Sequence, residues 1–266
     1  MSNYDTLLLA HLRREPSASG WTGGLQLLET VVSTQEEAKR LAEDGAPEGT
    51  AVIAEEQTGG RGRMGRKWHS PRGKGIWMSV ILRPKLPLHS TPQLTLLAGV
   101  AVCRAIRRVA GVGAGIKWPN DLLVSGRKVC GILLESSMNE GQLQYCIAGI
   151  GIDANLAEDD YPDFLKGIGT SLMIERGGAP VDRAELAGTV LSELELLYSL
   201  YLEQGFRPIG MLWESLSVTL GRQVALNTAQ GRSEGKAVGL DSDGGLLLEN
   251  HHGQIFSVCS GEIEMI

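Results

Sequence analysis

The chain has 266 residues and a formal net charge of −6, long enough for one sizeable core with a small second domain and of the wrong sign for general affinity to nucleic acid or anionic membrane. Its four cysteines, Cys103, Cys130, Cys146 and Cys259, are scattered in apolar surroundings with no CxxC spacing, which excludes a disulfide framework and a zinc site and fits structural thiols in a reducing cytoplasm. No cationic stretch followed by a long apolar core opens the chain, and the longest apolar run, near residues 94–103, is far too short to cross a bilayer.

Residues 1–24 are predicted to be irregular, because Pro16, Ser17, Ser19, Gly20, Gly23 and Gly24 interrupt a short helix over 4–14. Ser33-Thr34-Gln35-Glu36-Glu37 then starts a helix. Ser33/Glu36 and Thr34/Glu37 both have capping-box spacing, Ala38, Leu41 and Ala42 form one face, and Gly45 ends it. Strands are expected over 50–56 and 75–82. Thr91-Pro92 opens a helix whose Leu94, Leu97, Ala98, Ala101, Val102, Ala105, Ile106 and Val109 describe a buried stripe.

Short strands follow over 114–118, 121–124, 128–135 and 143–150, joined by turns at Ser125-Gly126 and Asn139-Glu140-Gly141, so this region reads as hairpins. An amphipathic helix runs from an Asp182/Glu185 cap to Gln204 and is stopped by Gly205, and Arg207-Pro208 is the linker candidate. Glycine-punctuated strands over 223–226, 235–240, 245–249 and 255–259 suggest a small SH3-like β-barrel. The expected architecture is α+β: a catalytic domain over 25–208, with a mixed sheet and flanking helices, and a C-terminal β-domain over 213–266.

Between the strands expected at 50–56 and 75–82 lies the most informative stretch, residues 57–71, QTGGRGRMGRKWHSP, with four cations and four glycines. Glycine allows close backbone approach and arginine forks suit carboxylates and phosphates, so the loop looks built to close over an anionic small molecule. Gly60-Arg61-Gly62-Arg63-Met64-Gly65 formally matches a dinucleotide fingerprint, but Trp68-His69-Ser70-Pro71 cannot open the helix which that motif requires. A P-loop lacks its Gly-Lys-Ser/Thr ending, and an RGG-like tail would not sit between two apolar strands. A solvated basic turn stays open as the bland alternative.

Other segments carry polar groups that could join the loop. Ser33, Thr34 and Gln35 place hydroxyls and an amide at a helix start, where simple capping is the competing explanation. Gln57 offers an amide after a buried strand. Lys117-Trp118-Pro119-Asn120-Asp121 gathers charge and amide at a strand end, with a surface turn as the alternative, and Lys128 begins an otherwise apolar strand. No Ser-His-Asp or Cys-His arrangement and no metal spacing among the five histidines is present. A pocket with neutral donors, phosphate-seeking cations and no nucleophile suits nucleotidyl transfer onto a carboxylate, achieved by positioning and charge neutralisation.

These motifs, together with Lys128-Val129-Cys130-Gly131-Ile132-Leu133-Leu134-Glu135, Gly149-Ile150-Gly151-Ile152 and the closing Ser260-Gly261-Glu262-Ile263, resemble the biotin–protein ligases in order and spacing over roughly residues 26–266. The resemblance implies the class II aminoacyl-tRNA synthetase-like, biotin–lipoyl ligase fold with an SH3-like C-terminal barrel. It further implies adenylation of biotin by Mg·ATP to biotinyl-5′-AMP, then transfer to one lysine of a biotin carboxyl carrier domain.

By motif position, Ser33, Thr34, Gln35 and Gln57 would hold the ureido ring, while Arg61, Gly62 and Arg63 would wrap the carboxylate and α-phosphate. Arg66, Lys117 and Asn120 would serve ATP, its phosphates or Mg²⁺, whose ligands stay unassigned. Lys128 would contact the biotinyl carboxylate and the departing phosphate, and Lys128 and Arg63 are the expected catalytic pair. Asp153, where the family often carries asparagine, is the departure among the nucleotide residues. The resemblance leaves room for a homodimer. The stretch before residue 25 is too short for the winged helix-turn-helix of some members, so DNA binding is not expected, and the net charge and short apolar runs argue against a membrane. A lipoate ligase or octanoyl transferase of the same superfamily, and a non-catalytic biotin-responsive regulator, are the competing functions.

Overall fold

The computed structural model of the chain describes residues 21–139, 142–228 and 231–266. The helix expected over 4–14 and the turn tip at 140–141 lie outside the described residues. Seven strands form the main sheet: β1 (Leu25–Val31), β2 (Ala51–Gln57), β3 (Ile76–Leu82), β4 (Gly115–Lys117), β5 (Asp121–Val124), β6 (Arg127–Asn139) and β7 (Gln142–Ile152). Their order is β1-β2-β3-β7-β6-β5-β4. β1 and β2 pair in parallel and the other neighbours are antiparallel, giving a mixed sheet.

All of β3 is buried, as expected for a central strand covered on both faces. On one face Val52 and Ile81 pack with Ala38 and Ala42 of α1 (Thr34–Glu43). The alternate residues Ala51, Ile53, Val80 and Leu82 meet α2 (Thr91–Ala110) and α4 (Arg183–Gln204) on the other. From Leu94 to Ile106, α2 is buried apart from Thr95 and Arg104, including every stripe residue there, and Gly111 at φ 69° closes that helix in the left-handed conformation. The β5–β6 hairpin turns at Ser125 and Gly126, both at positive φ, as the hand of a tight two-residue turn requires.

The structure departs from the expected elements in several places. β1 was not anticipated: it is a half-buried edge strand without strict alternation, made a strand by pairing with β2. A short helix, α3 (Leu172–Glu175), capped by Ser171, was also missed. Arg207-Pro208 is no linker, since both residues lie in the first turn of α5 (Phe206–Leu216). Proline is tolerated there because the N–H it lacks would have no intrahelical partner. Finally, Cys259 is exposed, unlike the buried Cys103, Cys130 and Cys146, because it follows a strand whose residues alternate between exposed and half-buried with none in the core.

After α5 the chain forms a five-stranded antiparallel sheet of β8 (Gln223–Thr228), β9 (Gly231–Leu240), β10 (Leu246–Glu249), β11 (Ile255–Val258) and β12 (Glu262–Met265), ordered β11-β10-β9-β8-β12. β12 is the other unanticipated strand, four residues long with only Ile263 buried. The apolar side of this sheet, including Val224, Leu246 and Leu248, is continuous with the main core.

Candidate functional site

The β1–β2 register sets one end of the site, because pairing Val31 with Gln57 puts the start of α1 beside the last residue of β2. Ser33 caps α1, its hydroxyl accepting from the Gln35 N–H at 3.2 Å, so the capping reading holds for that side chain. The Thr34 N–H donates to Gln57 Oε1 at 2.9 Å, and the Thr34 hydroxyl lies 3.1 Å from that oxygen and 2.9 Å from Ser79 Oγ. The Ser79 hydroxyl donates to Gln35 Oε1 at 3.0 Å, and Gln35 Nε2 donates to the Ile147 carbonyl at 3.2 Å. Gln57 Nε2 donates to Ser70 Oγ at 3.0 Å, which commits one of its two N–H groups. Ser33, Thr34, Gln35 and Ser79 are nearly or fully buried. The result is a rigid block of amides and hydroxyls facing a cleft of about 360 Å³.

The floor of that cleft has no side chains where β6 and β7 pair Gly131 with Gly151, and Gly149 beside them, paired with Leu133, adds a third glycine. A Cβ at Gly149 would lie 2.5 Å from Gln35 Oε1, and one at Gly151 would lie 2.4 Å from Trp68 Nε1. The Trp68 indole therefore rests directly on the glycine pair, with its buried Nε1 lacking a hydrogen-bond partner. Lys128 Nζ stands 5.2 Å from the indole centroid, within cation–π range.

Around this floor the cations converge, and most of them hold a protein acceptor. Lys128 Nζ pairs with Asp121 Oδ1 at 2.7 Å, and Arg63 donates to Asn120 Oδ1 at 2.8 Å. Asn120 is fixed in turn by donating to the Ile132 carbonyl at 2.8 Å. Arg61 pairs with Glu36 at 2.9 Å and Arg66 with Glu262 of β12 at 2.6 Å. The Arg66 hydrogen bond holds the Glu262 carboxyl below the usual range and raises the Arg66 guanidinium in return. Lys117 lines the cleft without an ion-pair partner among the described residues. The loop closes on itself through an Arg61–Lys67 bridge and a 2.7 Å bond from the Gly62 N–H to the Arg66 carbonyl, with Met64 at φ 58° forming its tip.

Asp153 is buried at the cleft wall. It accepts from the Tyr161 hydroxyl at 3.3 Å through Oδ2, while Oδ1 is buried without a partner. Burial pushes its carboxyl well above the ordinary carboxylate range, against the smaller pull of the Tyr161 hydrogen bond and the Lys128 charge. Tyr161 belongs to a segment held to the sheet where Lys128 N–H donates to the Ile168 carbonyl and Thr170 N–H to the Lys128 carbonyl.

Every residue singled out from sequence lines this one cleft: Ser33, Thr34, Gln35, Gln57, Arg61, Gly62, Arg63, Arg66, Lys117, Asn120, Lys128 and Asp153. Trp68, Ser79, Asp121 and Glu262 also line it and were not singled out. Trp68, Asp121 and Glu262 stood inside quoted motifs, whereas Ser79 in an apolar strand carried no local signal. Among the described residues no group of three or more His, Cys, Asp or Glu could hold a metal ion, and no helix is long and apolar enough to cross a membrane.

Residues 27–153 match the Biotin/lipoate A/B protein ligase family and residues 219–265 the Biotin protein ligase C terminal domain. The bifunctional ligase/repressor BirA of Bacillus spizizenii is 48% identical over 237 residues, covering 89% of this chain and 72% of that protein. The biotin–[acetyl-CoA-carboxylase] ligase of Paracoccus denitrificans is 33% identical over 232 residues, 86% of this chain and 95% of that one. Among solved structures, biotin protein ligase from Aquifex aeolicus in complex with biotin and ATP superposes with a TM-score of 0.78 at 36% identity, covering 91% of this chain and 98% of that chain.

Proposed function

This chain belongs to the biotin protein ligases, and on that premise we propose that it activates biotin with Mg·ATP and passes the biotinyl group to a lysine of a biotin carboxyl carrier domain. One observation carries the assignment of ends within the cleft: a neutral hydrogen-bonding block at Ser33–Gln35, Gln57 and Ser79 shares one cleft with a set of cations that includes Lys128. A ureido ring needs several fixed polar partners, and a carboxylate meeting a triphosphate needs cations at the point of contact. The lipoyl chain of the sister ligases offers no polar partner to the second Gln57 N–H, the one that Ser70 does not take up, which disfavours that alternative.

In the first step a biotin carboxylate oxygen attacks the α-phosphorus of ATP, and the bond to the bridging oxygen breaks to release pyrophosphate. Lys128 neutralises charge where the two anions meet, and Arg61 and Arg63 hold the carboxylate and phosphate oxygens as the Gly62 backbone lets them approach. Arg66, Lys117 and Asn120 serve the remaining phosphates, and the wall at Asp153 faces the nucleotide. In the second step a carrier lysine amine attacks the acyl carbonyl, forming an amide and releasing AMP.

Mg²⁺ would enter as part of its ATP complex, because this cation keeps several waters and binds largely through substrate phosphates. The domain division at 25–208 and 213–266, and a cytoplasmic setting, belong to the same proposal. The test is biotin-dependent pyrophosphate release from Mg·ATP, followed by labelling of a purified carrier domain. Release driven by lipoate or octanoate and not by biotin would overturn it.

A further inference from the structure

The main sheet ends at β4, whose outer edge would expose unpaired backbone groups beside the Lys117–Asp121 turn. The approach to the C-terminal sheet closes that edge. Residues 216–219 run alongside β4, with a bridge between Ile116 and Ser217 and a 3.0 Å bond from the Val218 N–H to the Ile116 carbonyl. The fit is tight, since a Cβ on Gly115 would come within 2.2 Å of Val218. Beyond this point β4 ends and the turn that carries Lys117 and Asn120 begins.

At that junction two donors of Trp118 are taken up by the C-terminal part of the chain. The Trp118 N–H donates to Thr219 Oγ1 at 3.0 Å, and the indole Nε1–H donates to the Gly244 carbonyl at 3.3 Å. Both residues are buried, Trp118 at 2% and Thr219 at 0% exposure, so neither bond competes with water. The Gly244 carbonyl is itself preset, because Asp241 Oδ1 accepts from the Asp243 and Gly245 N–H groups at 2.9 and 2.8 Å. The same turn is tied to α2 where Gln93 Nε2 donates to the Ser242 carbonyl at 2.9 Å.

We propose that Thr219, with the Asp241–Gly245 turn, is a positioning element of the nucleotide half of the cleft: it holds Trp118 on both its backbone and its indole, and through Trp118 it aims Lys117 and Asn120. This inference rests on the function proposed above. Thr219 does not line the cleft, so its effect on chemistry passes through Trp118, whereas Gly244 borders an adjoining hollow shared with Arg63 and Asn120. Displacements of about 1 Å at a reacting centre can cost on the order of 10²-fold in rate, which makes a remote anchor of this kind consequential.

The experiment compares wild type with Thr219→Val, which keeps the shape and removes the acceptor, and with Thr219→Ser, which restores it. Thr219→Val is expected to raise the ATP KM and lower kcat for biotin-dependent pyrophosphate release by about 10-fold or more combined, with biotin affinity measured without ATP unchanged. Thr219→Ser should stay within about 3-fold of wild type. A residue that only stabilises the fold would lower Tm and the titrated fraction of active sites, leaving KM and kcat per active site unmoved, and that outcome overturns the proposal. Serine failing to restore the ATP parameters overturns it too.

If Thr219→Val does not fold, Trp118→Phe, which removes the bond to Gly244, should show the same split between ATP and biotin. Equal loss for both substrates would sink the inference. Wild type inactive with biotin would instead sink the proposed function, so the two failures are distinguishable.

Discussion

Replacing Lys128 by alanine removes a cation and also leaves Asp121 as an unpaired anion facing the place where two further anions must meet. The Lys128–Asp121 contact is 2.7 Å, with side-chain exposures of 31% and 23%, so the pair is half-buried and only partly screened. A unit charge about 5 Å from a like charge, at an effective dielectric of about 20, costs roughly 3 kcal/mol before solvent relaxation. Discounted for exposure, about 3–4 kcal/mol of lost attraction and new repulsion corresponds to a fall in adenylation rate of roughly 10²- to 10³-fold. Biotin affinity should weaken less, because the Gln57 end is untouched.

The Asp121 partner makes this a sharper test than a single knockout. Asp121→Asn keeps the cation and removes only its anchor, so adenylation should change by no more than about 10-fold. In the double variant the exposed carboxylate is gone, and at least about 10-fold of the Lys128→Ala loss should return. Pyrophosphate release at saturating biotin and Mg·ATP, with thermal melts to confirm folding, gives all four corners of the cycle. Normal adenylation by Lys128→Ala, or a double variant no better than Lys128→Ala, would refute the electrostatic account.

Three further outcomes are expected. Gln57→Ala strips the buried Thr34 N–H of its 2.9 Å acceptor and removes a ligand-facing amide, so the biotin KM should rise roughly 10- to 100-fold with the ATP KM little changed; a raised ATP KM with an unaltered biotin KM would reverse the assignment of ends. Gly151→Ala puts a Cβ 2.4 Å from Trp68 Nε1, so the indole must lift from the floor, and tryptophan fluorescence should shift while stability falls by about 1–3 kcal/mol; an unchanged spectrum and Tm would show the floor to be slack. For Asp153 the carboxyl ionises in the unfolded chain near 3.8 but stays neutral in the fold to a higher pH. Below 3.8 it has no effect, and between 3.8 and its folded value stability falls as pH rises, levelling off above. Asp153→Asn should remove that falling limb from a Tm-against-pH series, and identical slopes in both proteins would refute the buried neutral acid.

What could be read from the chain alone follows from how local each signal was. Ser33 and Glu36 announce α1 because capping chemistry is short-range, and α2 is legible because its stripe repeats over five turns. The Ser125-Gly126 turn shows itself because two positive-φ positions demand such residues. β1 and β12 were invisible for the opposite reason: one is a half-exposed edge without alternation, the other four residues with a single buried side chain, and pairing alone makes them strands. The α5 start looked like a linker because Gly205 and Pro208 are breakers out of context, while the structure uses one as a bend and the other in a first helical turn.

The site divides along the same line. Residues inside dense motifs were found, but the pairs that organise them were not. Lys128 meets Asp121 only because a register shift near Leu122 and Leu123 brings β5 and β6 together in that offset. Arg66 meets Glu262 across 196 positions, which no local pattern encodes.

These pairs also say how a cleft crowded with cations stays closed on itself before an anion arrives. Arg61–Glu36 and Arg66–Glu262 are largely exposed on both sides, and such pairs contribute only about 0–1 kcal/mol, so they can be released at little cost. Lys128–Asp121 and Arg63–Asn120 lie deeper, where leaving a partner without a substitute is costly, so they exchange only when a phosphate or carboxylate oxygen is present to replace the acceptor. Each exchange substitutes a doubly charged or bidentate acceptor for a single oxygen, and charge-assisted contacts of that kind are worth about 1.5–3 kcal/mol. An outer ring that opens freely and an inner ring that yields only to substrate would admit small anions easily and grip them where they react. That ordering follows from burial alone: the loop supplies both outer arginines and the deeper Arg63, while the deeper lysine stands on a strand.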